Sequence, residues 1–100
     1  MAMPDYKLTD LAAAKLRAVL RDSLLNFGDH QTTIYYADFI KTLELLTSFP
    51  GIARRVDNFR PGYRRYRYES NYIFFTVEED HILIRDILHT AQNITKDKLG

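Results

Sequence analysis

Pro61–His89 reads PGYRRYRYESNYIFFTVEEDHILIRDILH, and the fold of the chain is decided there. Tyr63–Tyr68 sets Tyr63, Arg65 and Arg67 on one face and Arg64, Tyr66 and Tyr68 on the other, the two-residue period of a strand. Glu69-Ser70 is a tight turn. Tyr72–Val77 is almost continuously aromatic, β-branched and apolar, as a central strand would be. Glu78-Glu79-Asp80 turns the chain again. His81–Leu88 then carries Ile82, Ile84 and Leu88 in phase, with Asp86 breaking the pattern. With Pro61-Gly62 as its entry, this segment predicts an antiparallel meander.

Working back toward the N-terminus, Asp5–Leu8 predicts a short strand with Tyr6 and Leu8 on one face. Thr9 is a helix N-cap, its hydroxyl able to accept an orphan backbone N–H, and Asp10 suits the positive end of the helix dipole. Leu16, Val19, Leu20, Leu24 and Phe27 recur at helical spacing and predict one buried stripe. Gly28 suits the left-handed position that ends such a helix. Asp29 is both a short loop and the cap of a second helix, whose stripe is Tyr36, Phe39, Ile40, Leu43 and Leu46, ended by Pro50-Gly51. So short a loop predicts an antiparallel helix hairpin. Ile52–Phe59 shows no regular pattern. The tail from Thr90 is polar, with room for a short C-terminal helix at Ala91–Ile94. The expected architecture is α+β: a helix hairpin packed on one side of a small antiparallel sheet, in the order βααβββ, as a single domain over residues 1–100.

With 100 residues, 46% hydrophobic and 27% charged, the chain has the composition of a soluble globular domain. It has no cysteine, which removes disulfides and thiolate metal sites. The N-terminus lacks a secretory signal pattern, and no apolar run approaches the ~20 residues that span a bilayer. A cytoplasmic protein without membrane association is expected. No pair of histidines has ligand spacing with a carboxylate, so neither metal nor cofactor is expected. His30 reads as a helix-start residue and His81 as a turn flank.

The net charge of +1 hides a sharp asymmetry. Arg54, Arg55, Arg60, Arg64, Arg65 and Arg67 face only Asp57 within residues 54–67, whereas residues 68–88 hold five acidic residues and Arg85. Arginine is the better planar partner for carboxylates and phosphates, and such a patch steers an anionic partner. The competing reading is a set of cross-strand ion pairs, Arg65 or Arg67 against Glu69 or the next strand, each contributing only ~0–1 kcal/mol. Tyr63, Tyr66, Tyr68 and Tyr72 offer base-stacking faces, though tyrosines in such a strand more often pack on the helices. The sheet face away from the helices is expected to expose large side chains to a partner. Arg54, Arg55, Arg60, Arg64, Arg65, Arg67, Tyr66 and Tyr68 are therefore the candidate partner-binding residues.

The order of these elements, with LTDLAAAKL at Leu8–Leu16, Phe27-Gly28, the Tyr35 region, Pro50, PGYRRY at Pro61–Tyr66, Tyr72–Phe75 and Ile87-Leu88-His89, resembles the ParE/RelE superfamily of type II toxins. The closer likeness is to the ParE branch, over roughly residues 6–91. Two departures stand out: Arg85-Asp86, where relatives usually place an aliphatic residue and then Arg, and Asn71, where His is common. The resemblance implies a toxin neutralised by a ParD-like antitoxin and acting on DNA gyrase by binding rather than catalysis, with no stable direct nucleic-acid complex. The alternatives it leaves are a ribosome-dependent mRNA endoribonuclease of the RelE type, or a non-toxic nucleic-acid- or protein-binding module. RNA cleavage needs an acid/base and cations on the phosphate, for which His89, Arg64 and Arg85 are the candidates. The basic residue and tyrosine that such nucleases carry after the last strand have no counterpart in Thr90-Ala91-Gln92-Asn93. A structural reading of His89 is a cap at the end of the last strand.

Overall fold

The computed structural model describes residues 5–92 and 99–100. The chain runs β1 (Asp5–Leu8), α1 (Asp10–Ser48), a 3₁₀ turn (Pro50–Ile52), β2 (Arg54–Arg55), β3 (Tyr63–Tyr68), β4 (Asn71–Val77) and β5 (His81–His89). The strands form one sheet in the order β1-β5-β4-β3-β2. The α+β class is as expected, with four corrections.

First, the sheet has five strands and is mixed. The meander pairs antiparallel throughout, but β1 lies parallel to β5, with Asp5 opposite His81 and Leu8 opposite Ile84. Arg54-Arg55, in the stretch expected to be irregular, adds the edge strand β2 opposite Arg65 and Arg64.

Second, no loop separates the two helical stretches, which meet as α1 across a kink at Gly28. Thr9 caps it as expected, its Oγ1 accepting from Ala12 N–H at 3.1 Å, while Thr9 N–H donates to the Ile84 carbonyl. At Gly28 the backbone takes φ 83°, ψ 179°, and helical geometry resumes at Asp29 with no loop between. That conformation is extended at ψ, unlike the left-handed cap expected there, and is essentially confined to glycine. The run doubles back at this residue. Thr32 Oγ1 donates to Ser23 Oγ at 2.9 Å, whereas nine residues along a straight helix rise about 13.5 Å.

Third, the first stripe is buried only at its base. Ala12 and Leu16 enter the core, but Leu24 and Phe27 are 45% and 71% exposed, and residues 24–31 all lie in solvent. Tyr36 is also exposed, leaving Phe39, Leu43 and Leu46 to carry the second stripe. These meet Ile73, Phe75, Ile82, Ile84 and Ile87 on one face of the sheet.

The other face is not bare, contrary to expectation. Tyr63, Phe74 and Leu88 are buried there with Val56 and Leu99, flanked by Phe59 and Tyr72. Asp86 explains how both faces are served by one strand. A bulge between Phe74 and Phe75 shifts the register so that Phe75 faces Ile84 and Phe74 faces Asp86. Ile82, Ile84 and Ile87 thereby reach the helical side, and Leu88 reaches the other. Asp86 is fully buried and saturated: Lys15 Nζ (3.1 Å) and Ile87 N–H (2.8 Å) meet Oδ1, and Gly100 N–H (2.9 Å) meets Oδ2. Tyr63 O–H donates to the Gly100 oxygen. The helical turn expected at Ala91–Ile94 begins as a turn and bend at Ala91-Gln92 and otherwise lies outside the described residues.

Candidate functional site

The arginines gather where β2 joins β3. Registration sets Arg54 opposite Arg65 and Arg55 opposite Arg64. Two like-charged pairs side by side oppose sheet formation, since directly opposed like charges are destabilising. The two pairs are treated differently by their surroundings.

Arg55 and Arg64 are offset. Arg55 Nε donates to Asp57 Oδ2 at 3.0 Å, and Arg64 donates to the Ala53 carbonyl at 3.0 Å. Asp57 is held below its usual carboxylate range, chiefly by the Gly62 N–H on its Oδ1 and then by Arg55. It serves the turn as much as the charge.

Arg54, Arg65 and Arg67 have no carboxylate partner among the described residues. Arg65 lies over the Tyr72 ring, 4.4 Å from its centroid. Arg67 Nε donates to the Glu69 carbonyl, so the expected ion pair with the Glu69 carboxylate is not formed. Arg65 and Arg67 share the sheet face of Tyr63, Tyr72 and Phe74. Arg60 and Arg85 approach Tyr63 there, at 5.8 and 5.7 Å from its ring centroid. The result is a cationic and aromatic ridge, on which Arg65 lies over a tyrosine face and Arg85 is engaged by Glu78 at 3.7 Å and by Thr76.

Tyr66 and Tyr68 are not on that ridge. Both point to the helical layer, because β3 alternates and Arg65 and Arg67 take the other side. Tyr68 packs edge-on against Tyr35 and Phe39, 5.3 and 5.5 Å between centroids, and its hydroxyl donates to the Tyr35 carbonyl. Burial pushes its pKa up to about 12. Tyr66 packs beside the same core. Both side chains are thus partly buried on the helical side, away from the face of Arg65 and Arg67.

Residues 6–94 match the family model for the ParE toxin of the parDE type II toxin–antitoxin system. The chain belongs to the ParE toxin family. It is 31% identical over 91 residues to Toxin ParE1 of Caulobacter vibrioides, covering 91% of this chain and 94% of that protein. A solved structure of the chromosomal ParDE system from P. aeruginosa has the same fold, with a TM-score of 0.72 at 22% identity over 87% of this chain and 96% of its own.

In this ParE-family chain the three candidates for RNA cleavage do not converge. Arg64 faces Phe75 on the helical side of the sheet, while Arg85 donates to Thr76 and lies near Tyr63 on the other side. His89 stands four residues beyond Arg85, about 13 Å along a strand. It is exposed, and its Nδ1 accepts the Ala91 N–H at 3.0 Å, which is a strand-end cap.

One feature of the ParE fold was invisible in the sequence pattern. A cleft of about 430 Å³ opens between the tip of α1 and the β3–β4 turn, with Asp22, Phe27, Tyr35, Glu69, Asn71 and His89 in its lining. The sequence pattern places Phe27 in the core stripe and Glu69 in a turn. The one local signal was Phe27 at the far end of its stripe, beside Gly28.

Proposed function

We propose that this ParE-family toxin inhibits DNA gyrase in the cytoplasm by binding alone, and that a ParD-like antitoxin neutralises it. The observation that carries the reading is the ridge of Arg54, Arg65 and Arg67, charged, unpaired with carboxylates among the described residues, and built at a cost to the sheet. Like-charge opposition kept at an edge strand makes sense where an acidic partner surface completes it. Arg60 lies on the same side near Tyr63, while Arg55 and Arg64 add charge at the same sheet edge from the helical face. An antitoxin laying an acidic segment on this ridge would neutralise the toxin by occupying what the target needs.

Separation of His89, Arg64 and Arg85 favours this reading over ribonuclease action. Purified toxin should inhibit negative supercoiling by gyrase, and added antitoxin should restore it. Primer extension on cellular mRNA after induction should show no new cuts. In-frame cuts at ribosome-bound codons would reject the proposal, and induction without any slowing of growth would favour a non-toxic binding module. Replacing Arg64 and Arg65 together by Glu should weaken partner binding while the fold survives. Undiminished affinity in the folded double variant would remove the ridge from the account.

A further inference from the structure

The cleft between the tip of α1 and the β3–β4 turn has a chemistry opposite to that of the ridge. Among the described residues its lining holds the carboxylates Asp22 and Glu69 and the imidazole of His89, and no lysine or arginine. Neither carboxylate forms an ion pair or accepts a hydrogen bond among the described residues; Asp22 and Glu69 are engaged there only through their backbone carbonyls. Glu69 holds φ at 53°, the left-handed region that Gly or Asn occupies at less cost, so the turn keeps a carboxylate where its own backbone disfavours one.

The walls supply the rest of a side-chain receptor. Phe27 is largely exposed and gives an aromatic wall on the α1 side. Tyr35 is half-buried in the lining, and its hydroxyl oxygen accepts from Asn71 Nδ2 at 3.2 Å, which ties the α1 side of the cleft to β4. The field of Glu69 reaches this point: with burial, it raises the pKa of the Tyr35 hydroxyl. An aromatic wall, two uncompensated carboxylates and a volume above that of one side chain together select a long, flat cation with an apolar stem. Among the described residues no three His, Cys, Asp or Glu side chains gather as a metal would need.

We infer that this cleft is a receptor for an arginine side chain presented by the neutralising antitoxin. The inference rests on the antitoxin reading above and adds a second anchor of opposite sign. An antitoxin segment spanning both would carry acidic residues toward the ridge and one arginine toward the cleft. Such a two-signed pattern fixes the direction in which the segment lies and excludes segments of uniform charge.

The test begins with the toxin alone. N-acetyl-arginine amide titrated into labelled protein should give saturable shifts at Ser70, Asn71 and Gln31, with a dissociation constant on the order of millimolar. The neutral isostere N-acetyl-citrulline amide should bind roughly tenfold more weakly, because the charge-assisted bonds are lost. Glu69→Gln combined with Asp22→Asn should abolish the difference, and Arg65→Gln should leave it unchanged. Equal shifts from the two compounds, or none, would overturn the inference while leaving the ridge and the antitoxin reading intact. In the complex, the Glu69→Gln, Asp22→Asn variant should lose about tenfold or more in antitoxin affinity yet inhibit gyrase as wild type does. Loss of gyrase inhibition with antitoxin affinity kept would place the target in the cleft and refute the assigned occupant. If wild-type toxin binds arginine but no antitoxin, the functional reading fails and the receptor stands.

Discussion

Arg54→Glu tests whether the ridge was kept for function at the expense of the fold. Arg54 lies directly opposite Arg65 at the sheet edge, where facing Cβ atoms are about 4.5–5.5 Å apart. Opposed like charges at that spacing cost ~0.2–1 kcal/mol, and an opposite-charge pair returns a similar amount. The Tyr72 ring draws the Arg65 guanidinium toward β4 and takes up part of the repulsion, which argues for the lower half of the range. The substitution should therefore stabilise the protein by about 0.5–1 kcal/mol. For a domain of this size that raises Tm by roughly 2–6 °C. Affinity for an acidic partner should fall by about 1.5–3 kcal/mol, the worth of one hydrogen bond to a charged group. Scanning calorimetry reads the first quantity and titration calorimetry at two salt concentrations the second, with a shallower salt dependence in the variant. A variant that is less stable than wild type, or one that binds as tightly with the same salt dependence, would refute the reasoning.

Gly28→Ala should destabilise the fold by ~1–3 kcal/mol through the backbone alone, since nothing lies within 4 Å of where the methyl would sit; chemical denaturation reads this, and a neutral result would mean that the α1 reversal does not need the φ of 83°. Leu43→Ala, at a fully buried position, should cost ~2–5 kcal/mol, whereas Leu20→Ala, only partly buried, should cost clearly less. Equal losses in urea melts would show that the α1 tip is better packed than its exposure indicates. The Asp57 carboxyl has a folded pKa below its ordinary 3.8, so its contribution to the Arg55–Gly62 turn is present above that value and lost as pH falls through the lowered one. Hydrogen exchange at Gly62 should accelerate in that acid window, and Asp57→Asn should abolish the pH dependence.

The meander was legible because its signals are local. Alternation in Tyr63–Tyr68, the acidic turn and the Thr9 cap each declare themselves within a few residues. What escaped depends on distant partners. Nothing in Asp5–Leu8 says that it will lie parallel to His81–Ile84, and a two-residue strand such as Arg54-Arg55 exists only because β3 lends it a register. Asp86 looked like an interruption of an apolar strand. It is a buried junction whose partners, Lys15 and Gly100, come from the two ends of the chain. Composition shows six arginines close together, but which of them share a face, and on which side Tyr66 and Tyr68 lie, follows from the pairing of β2 with β3 and from the face the helices cover. The cleft needed three elements to meet, and periodicity has no access to that.

The pairing of β1 with β5 has a bearing on how the toxin is made. Asp5–Leu8 is synthesised long before His81–Ile84 yet has no strand neighbour until that segment has also emerged, because β1 joins the sheet through β5 alone. Nascent or prematurely stopped products are left without that closure.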